Sequence, residues 1–271
     1  MAHMLSRRQT LASLALLCAG GRAFAEDAGA ADIWPDLKRV FFNDMPIEED
    51  KSLVLFEAPA RAEDAALVPV SFSARLPEGD KRRAVKLSLI IDQNPVPLAA
   101  AFTLGDKAGD TRISTRVRVN DYTNARVVAE FSDGSLHMAT RYIKASGGCS
   151  APMVKSMDEA LASLGQMKFR ILPPTPDAPN EALLMIRHPN NSGLQMDQIT
   201  RLYTPARYID KLAVYQGGDL IFSMGAGISI SEDPNFRFTF KPNGAKRFRV
   251  EAEDTKGTKF SGAWPATRDG A

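Results

Sequence analysis

The chain holds two cysteines and three histidines in 271 residues, and these side chains set the range of nucleophilic and metal chemistry open to it. His3 falls in the leading MAHM, which reads as a cloning remnant ahead of a start at Met4, and Cys18 lies in an apolar N-terminal run. Cys149, His137 and His188 remain. A cysteine nucleophile needs a base to form the thiolate and a third group to orient that base. Pairing Cys149 with His137 or His188 would make a thiol-dependent enzyme. His137, in SDGSLHMATRYIK, belongs to a strand-like stretch before the cysteine, and His188, in IRHPNNSG, belongs to the second half of the chain. The three form no cluster with zinc-ligand spacing. Asp and Glu are scattered, and GAGIS, Gly225 to Ser229, lies between strand-like segments where a phosphate loop would have to open a helix. The residues point away from an enzyme.

What remains is the thiol in SGGCSAP, Ser146 to Pro152. Gly147 and Gly148 lack side chains and have the widest backbone freedom, so they could form a swinging arm that exposes Cys149 for use. The other reading is a tight turn after a strand, with Cys149 packed as a small hydrophobe. Lys144 and Lys155 flank the segment and would lower the thiol pKa or attract an anionic adduct, unless they are plain solvated charges.

The segment LSRRQTLASLALLCAGGRAFAED combines Arg7 and Arg8, a short apolar run and small residues at Ala23 and Ala25, the pattern of a cleaved export signal. SRRQTL resembles a twin-arginine signal. The apolar run is much shorter than the roughly 20 residues that cross a bilayer. A periplasmic, soluble protein is expected. Cleavage would remove Arg7, Arg8 and Arg22 and take the formal charge from +2 to about −1, which leaves no footprint for nucleic acid or membrane. It would also remove Cys18, so Cys149 could make no internal disulfide. Some 246 residues from Glu26 onward, set against roughly 150 per domain, favour two small domains over one.

The elements that must position the thiol are mostly strands. RISTRVRVND alternates Ile113, Val117 and Val119 with Arg112, Arg116 and Arg118, a strand with one wet face. KLSLIID, FRFTF and RFRVEAE show the same two-residue period, and PEGD, SDG, QGG, PNG and TKG supply turns. Short strands with turns at this density predict antiparallel sandwiches. Helix signals are confined to WPDLKRVFF and to SMDEALASLG, which carries a capping box, Ser156 with Glu159. Four prolines between Pro173 and Pro179 make an extended loop in the second half.

Over nearly all of the chain after the signal, the sequence resembles a fused SoxYZ-type sulfur carrier. The first half is similar to SoxY in WPDLKRVFF, FEAPARAEDAALVPVSF, IIDQNPVPLAAAFTL, ISTRVRVNDYT and FSDGSLHMATRYIKASGGC. The second is similar to SoxZ in IRHPNNSG, TPARYIDKLAVYQGGDLIFSMGAGISISEDPNFRFTF and VEAEDTKGTKFSG. Two departures stand out. SAP and a connector follow the cysteine, which in separate SoxY chains is near a free end, and HPNN replaces the methionine and glutamate usual after that His-Pro.

The resemblance implies an all-β fold of two immunoglobulin-like antiparallel β-sandwich domains joined by a short helical connector. The expected divisions are 1–25 remnant and signal, 26–149 SoxY-like sandwich ending in the Gly-Gly-Cys arm, 150–165 connector, and 166–271 SoxZ-like sandwich. It implies a non-enzymatic periplasmic carrier whose Cys149 covalently holds a sulfur-containing intermediate, with Gly147 and Gly148 giving the arm its freedom. No cofactor or metal is expected beyond that adduct. Implied partners are sulfur-oxidising enzymes or a quinoprotein (PQQ-dependent) alcohol dehydrogenase system, with pairing of the two halves and a dimer through the thiol as further expectations. The alternative is a non-covalent accessory module of such a dehydrogenase system, in which Cys149 is incidental.

Overall fold

The computed structural model describes residues 32–106, 108, 112–153, 156–173, 176, 179–197 and 200–267. The expected signal, with Cys18, lies outside them, as does Lys155. The first helix, α1 (Trp34–Phe42), has a proline in its first turn, where the missing N–H would have no partner anyway. It lays Trp34, Leu37 and Phe42 over Ile90, Val128, Leu136 and Met138. The rest of the first half is β1 (Ile47–Glu49), β2 (Val54–Glu57), β3 (Val68–Ala74), β4 (Ala84–Ile91), β5 (Leu98–Leu104), β6 (Ile113–Val117), β7 (Thr123–Phe131) and β8 (Leu136–Ile143). After α2 (Met157–Ala162) come β9 (Met167–Ile171), β10 (Asn180–Ile186), β11 (Ile209–Gln216), β12 (Asp219–Ala226), β13 (Asn235–Phe240), β14 (Arg247–Asp254) and β15 (Lys259–Pro265).

The all-β sandwich class expected from the sequence is the observed one. The two-residue periods fall where they were expected, because one face of each strand must leave water. Leu87, Leu89 and Ile91 of β4, Phe236, Phe238 and Phe240 of β13, and Phe248, Val250 and Ala252 of β14 are all buried. At α2 the Ser156–Glu159 capping box forms in both directions, with Ser156 Oγ accepting from Glu159 N–H and the Glu159 carboxylate accepting from Ser156 N–H. The wet face expected for β6 holds for Arg112 and Arg116 but not for Arg118, which is only 2% exposed. The strand ends at Val117, and the second half takes over the next residue: Arg118 N–H donates to Ser229 O at 2.7 Å.

That handover reflects how the halves are joined. The strand order of one sheet is β1-β8-β7-β4-β5-β12-β11-β14-β15, and of the other β2-β3-β6-β13-β10-β9. The named strands pair antiparallel except β1 with β8. Both sheets therefore run from the first half into the second, through β5 with β12 (Phe102 opposite Met224) and β6 with β13 (Ile113 opposite Phe238). The two sandwiches meet edge to edge, and residues 33–271 make one compact body with a shared interior. Phe102 marks the seam: its ring centroid lies 5.4 Å from Phe72, 5.9 Å from Phe222 and 6.4 Å from Phe236.

Because that core is shared, Phe102→Ala is expected to cost about 3–5 kcal/mol and to lower the stability of both halves in a single unfolding transition. Calorimetry and denaturant titration of parent and variant check this; two separated transitions would contradict it.

Candidate functional site

Strand β8 delivers the chain to the Gly-Gly-Cys segment. Lys144 N–H donates to Ala60 O and Ala62 N–H to Lys144 O, so the strand's end is held beside the 60–62 loop. The chain then turns. Gly147 has φ +79°, a conformation that L side chains avoid, and its N–H donates to Asn120 O at 2.8 Å. Gly148 N–H donates to Val119 O at 3.0 Å, and a Cβ on Gly148 would stand 2.0 Å from Ala65 O and 2.6 Å from Val119 O. Both glycines are required here, one by its dihedral and the other by the close approach of two carbonyls.

The second half closes the segment from the other side. Ser192 Oγ donates to Cys149 O at 2.5 Å and Gln195 Nε2 donates to Ala151 O at 3.0 Å. Ser192 Oγ also accepts from Leu194 N–H, and Gln195 Oε1 accepts from Ser192 N–H, so the two clamping side chains are themselves oriented. They sit in the excursion between β10 and β11, whose base is closed by the Asn191–Arg207 backbone bridge.

A buried ionic cluster fixes that base. Asp254, 1% exposed, accepts from the N–H groups of Lys256 and Thr258, each at 2.9 Å, and from Arg207 Nε at 2.8 Å. His188 Nε2 lies 3.4 Å from the same carboxylate, while Nδ1 accepts from Asn190 N–H at 3.0 Å. That acceptor role puts the proton on Nε2. Burial is the largest influence on His188 and lowers its pKa, with Asp254 only partly offsetting it. Burial alone would raise Asp254, but the hydrogen bonds from Thr258, Arg207, His188 and Lys256 outweigh it and hold the pKa at about 2.

Cys149 is 0% exposed, which corrects the expectation of an exposed thiol on a free arm. Four hydrogen bonds from Gly147, Gly148, Ser192 and Gln195 pin the segment, so Gly147 and Gly148 serve fit rather than freedom in this state. Burial pushes the thiol up to about 11, with the Arg118 charge acting in the opposite direction. At neutral pH it is a protonated thiol and a poor nucleophile. Lys144 is exposed, and the charge that bears on the sulfur is Arg118; Lys155 lies outside the described residues.

Neither histidine hydrogen-bonds to the thiol. Both ring nitrogens of His188 are occupied as described, and His137, on β8, packs edge-on against Phe131 at 5.4 Å. Among the described residues, neither histidine is placed as the base that a thiol-dependent enzyme would need at Cys149. Sequence reasoning located the cysteine and its glycines but missed Ser192, Gln195 and Arg118. The one signal near them was the unusual HPNN, which marks the loop without indicating that it grips the cysteine.

With that geometry in hand, comparison with known proteins gives three findings. The family described as Sulfur oxidation protein SoxY matches residues 38–149, ending on Cys149. The family described as Sulphur oxidation protein SoxZ matches residues 172–265. A solved structure of the sulfur carrier protein SoxY from Chlorobium limicola f thiosulfatophilum is 27% identical, covering 41% of this chain and 89% of that one, with a TM-score of 0.34. No curated protein matches the chain.

If the clamp keeps the thiol from solvent, Ser192→Ala with Gln195→Ala should speed alkylation of native Cys149 by about 5- to 30-fold, as expected for losing 1–2 kcal/mol of hydrogen bonding. Equal rates in parent and variant would show that other contacts hold the segment. Asp254 gives a pH signature. Its depressed pKa makes a contribution to stability that is complete above about pH 4 and is lost as pH falls toward 2, about 2–3 kcal/mol in all. The stability difference between parent and Asp254→Asn should shrink across that window in acid denaturation.

Proposed function

Because this chain joins a SoxY domain and a SoxZ domain in one polypeptide, we propose that it is a carrier in sulfur oxidation, on which Cys149 covalently holds a sulfur-containing intermediate while partner enzymes oxidise and release it. The observation that carries this reading is positional: the SoxY match ends on Cys149. The carrier does no chemistry of its own. A thiol with a pKa of about 11, and with no histidine bonded to it among the described residues, depends on its partner for activation.

The clamp adds a step to such a cycle. A partner must release the Ser192 and Gln195 hydrogen bonds before the sulfur can enter its site, so the SoxZ-like half acts as a holder that shields the thiol between encounters. Shielding would suit a protein exported to an oxidising compartment, where a free thiol is prone to oxidation. The proposal accordingly includes export to the periplasm and sulfur-oxidation enzymes as partners.

The complete burial of Cys149 favours a second reading, a non-covalent accessory module, as in a quinoprotein dehydrogenase system, in which the cysteine is a packing residue. Intact mass of protein isolated from its native source without reductant, with Cys149→Ser alongside, separates the two. An added mass that disappears on reduction and is absent from the variant is the expected result. An unmodified thiol, with full function retained by Cys149→Ser, would transfer the assignment to the accessory module.

A further inference from the structure

Arg118 is the least expected residue of the site. Consecutive amides of Gly147 and Gly148 donate to the carbonyls of Asn120 and Val119, which holds the segment leading into Cys149 against the residues that follow Arg118 in the chain. The Arg118 side chain is 2% exposed. Its Nη1 donates to Ile230 O at 2.7 Å, and its Nε has no hydrogen-bond partner among the described residues. The main chain on both sides is tied down, with Arg118 O accepting from Asn94 Nδ2 at 2.8 Å and Arg118 N–H donating to Ser229 O.

A guanidinium cannot discharge by losing a proton in the ordinary range, and burying one without an anion is costly. Burial accordingly lowers the Arg118 pKa, and among the charged groups that act against this Cys149 comes first, ahead of Glu232 and Asp64. With the cysteine protonated, that first contribution is missing. A negative charge on Cys149 or on a group attached to it would complete the pair.

We propose that Arg118 is the built-in counter-ion for an anionic group carried on Cys149, so that the site favours sulfur adducts bearing negative charge at neutral pH over neutral adducts of similar size. This inference rests on the carrier reading for its biological meaning, but its chemistry can be tested on the isolated protein. The planar fork of Arg118 meets a sulfonate-type or terminal-sulfur anion with a charge-assisted hydrogen bond, for which the unpartnered Nε–H is available. A neutral adduct would leave Arg118 without this contribution, with only the weaker influence of Glu232 and Asp64.

The test uses the full chain in a Cys18→Ser background, so that Cys149 is the one thiol. Tetrathionate provides an anionic adduct: the Cys149 thiolate, its proton released to solvent, attacks an inner sulfur, the bond between the two inner sulfurs breaks, and thiosulfate leaves with the electron pair. The product is Cys149–S–SO3−. Exchange with 2-hydroxyethyl disulfide, which releases 2-mercaptoethanol in the same way, provides the neutral comparison. Intact mass at equilibrium reads both exchange constants. Arg118→Met is expected to reduce the anionic exchange constant by about tenfold or more, the size expected for a partly desolvated ion pair, with little change in the neutral one. Arg118→Lys should recover much of the loss.

Parallel losses for both adducts, or no loss for either, would overturn the counter-ion role. Should the Met variant fail to fold, the parent alone decides: the anionic adduct must raise its melting temperature above that of the neutral adduct, and equal or reversed values would overturn the proposal. The outcome is separable from the carrier reading. Arg118 dependence in these exchanges with no reducible mass on native protein sinks the carrier and leaves the anion site, whereas a native adduct indifferent to Arg118 does the reverse.

Discussion

The structure depends on the backbone pairing of β5 with β12 and of β6 with β13. A half-sandwich ending at these strands would present two rows of unpaired N–H and C=O groups, each a site for adventitious association. Pairing them with the other half closes those edges and merges two small interiors into one, in which Phe102 packs against Phe222 and Phe236. The same pairing sets the separation of loops that belong to different halves. Ser229 and Ile230, just before β13, meet Arg118 just after β6, and the excursion between β10 and β11 meets the end of the first half at Cys149.

Two kinds of force act at different scales around the thiol. The aromatic core resists opening through buried area and close packing. The Cys149 segment is held mainly by hydrogen bonds to carbonyls, few in number and local in reach. Elements of this sort open at lower free energy than the sheets that support them. The Asp254–His188–Arg207 cluster keeps the clamping loop firm, because its charges are mutually satisfied in a buried setting. A firm holder and a lightly held segment are what a protein needs if it must release one residue and keep its fold. Fusion of the two halves explains why the holder is always present: Ser192 and Gln195 lie on the same chain as the segment they hold.

Much of this was legible in local pattern. The alternation in β4, β13 and β14, the first-turn proline of α1 and the capping box of α2 are each decided within a few residues, so the elements appear where the spacing places them. The Gly-Gly-Cys segment was legible as a special place, since such a tripeptide after a strand is uninformative as packing. Its state was not. Two glycines are equally compatible with a free arm and with a tight turn, and which one forms depends on whether carbonyls from Ala65, Val119 and Asn120 lie alongside. Arg118 shows the same limit. By period it belongs with Arg112 and Arg116 on the wet face, yet residues more than a hundred positions away cover it.

The sequence by itself determined the layered β class, the positions of most strands, the identity of Cys149 as the thiol outside the N-terminal apolar run, and the likeness of each half to a known family. These follow from periodicity, turn chemistry and composition, which are local. Only the tertiary structure decided that Cys149 is buried, that Ser192 and Gln195 hold the backbone of its segment, and that the buried Arg118 is the charge acting on it. Each of those facts joins residues from different parts of the chain, and burial, pKa and hydrogen-bond partnership are properties of what surrounds a side chain rather than of the side chain itself.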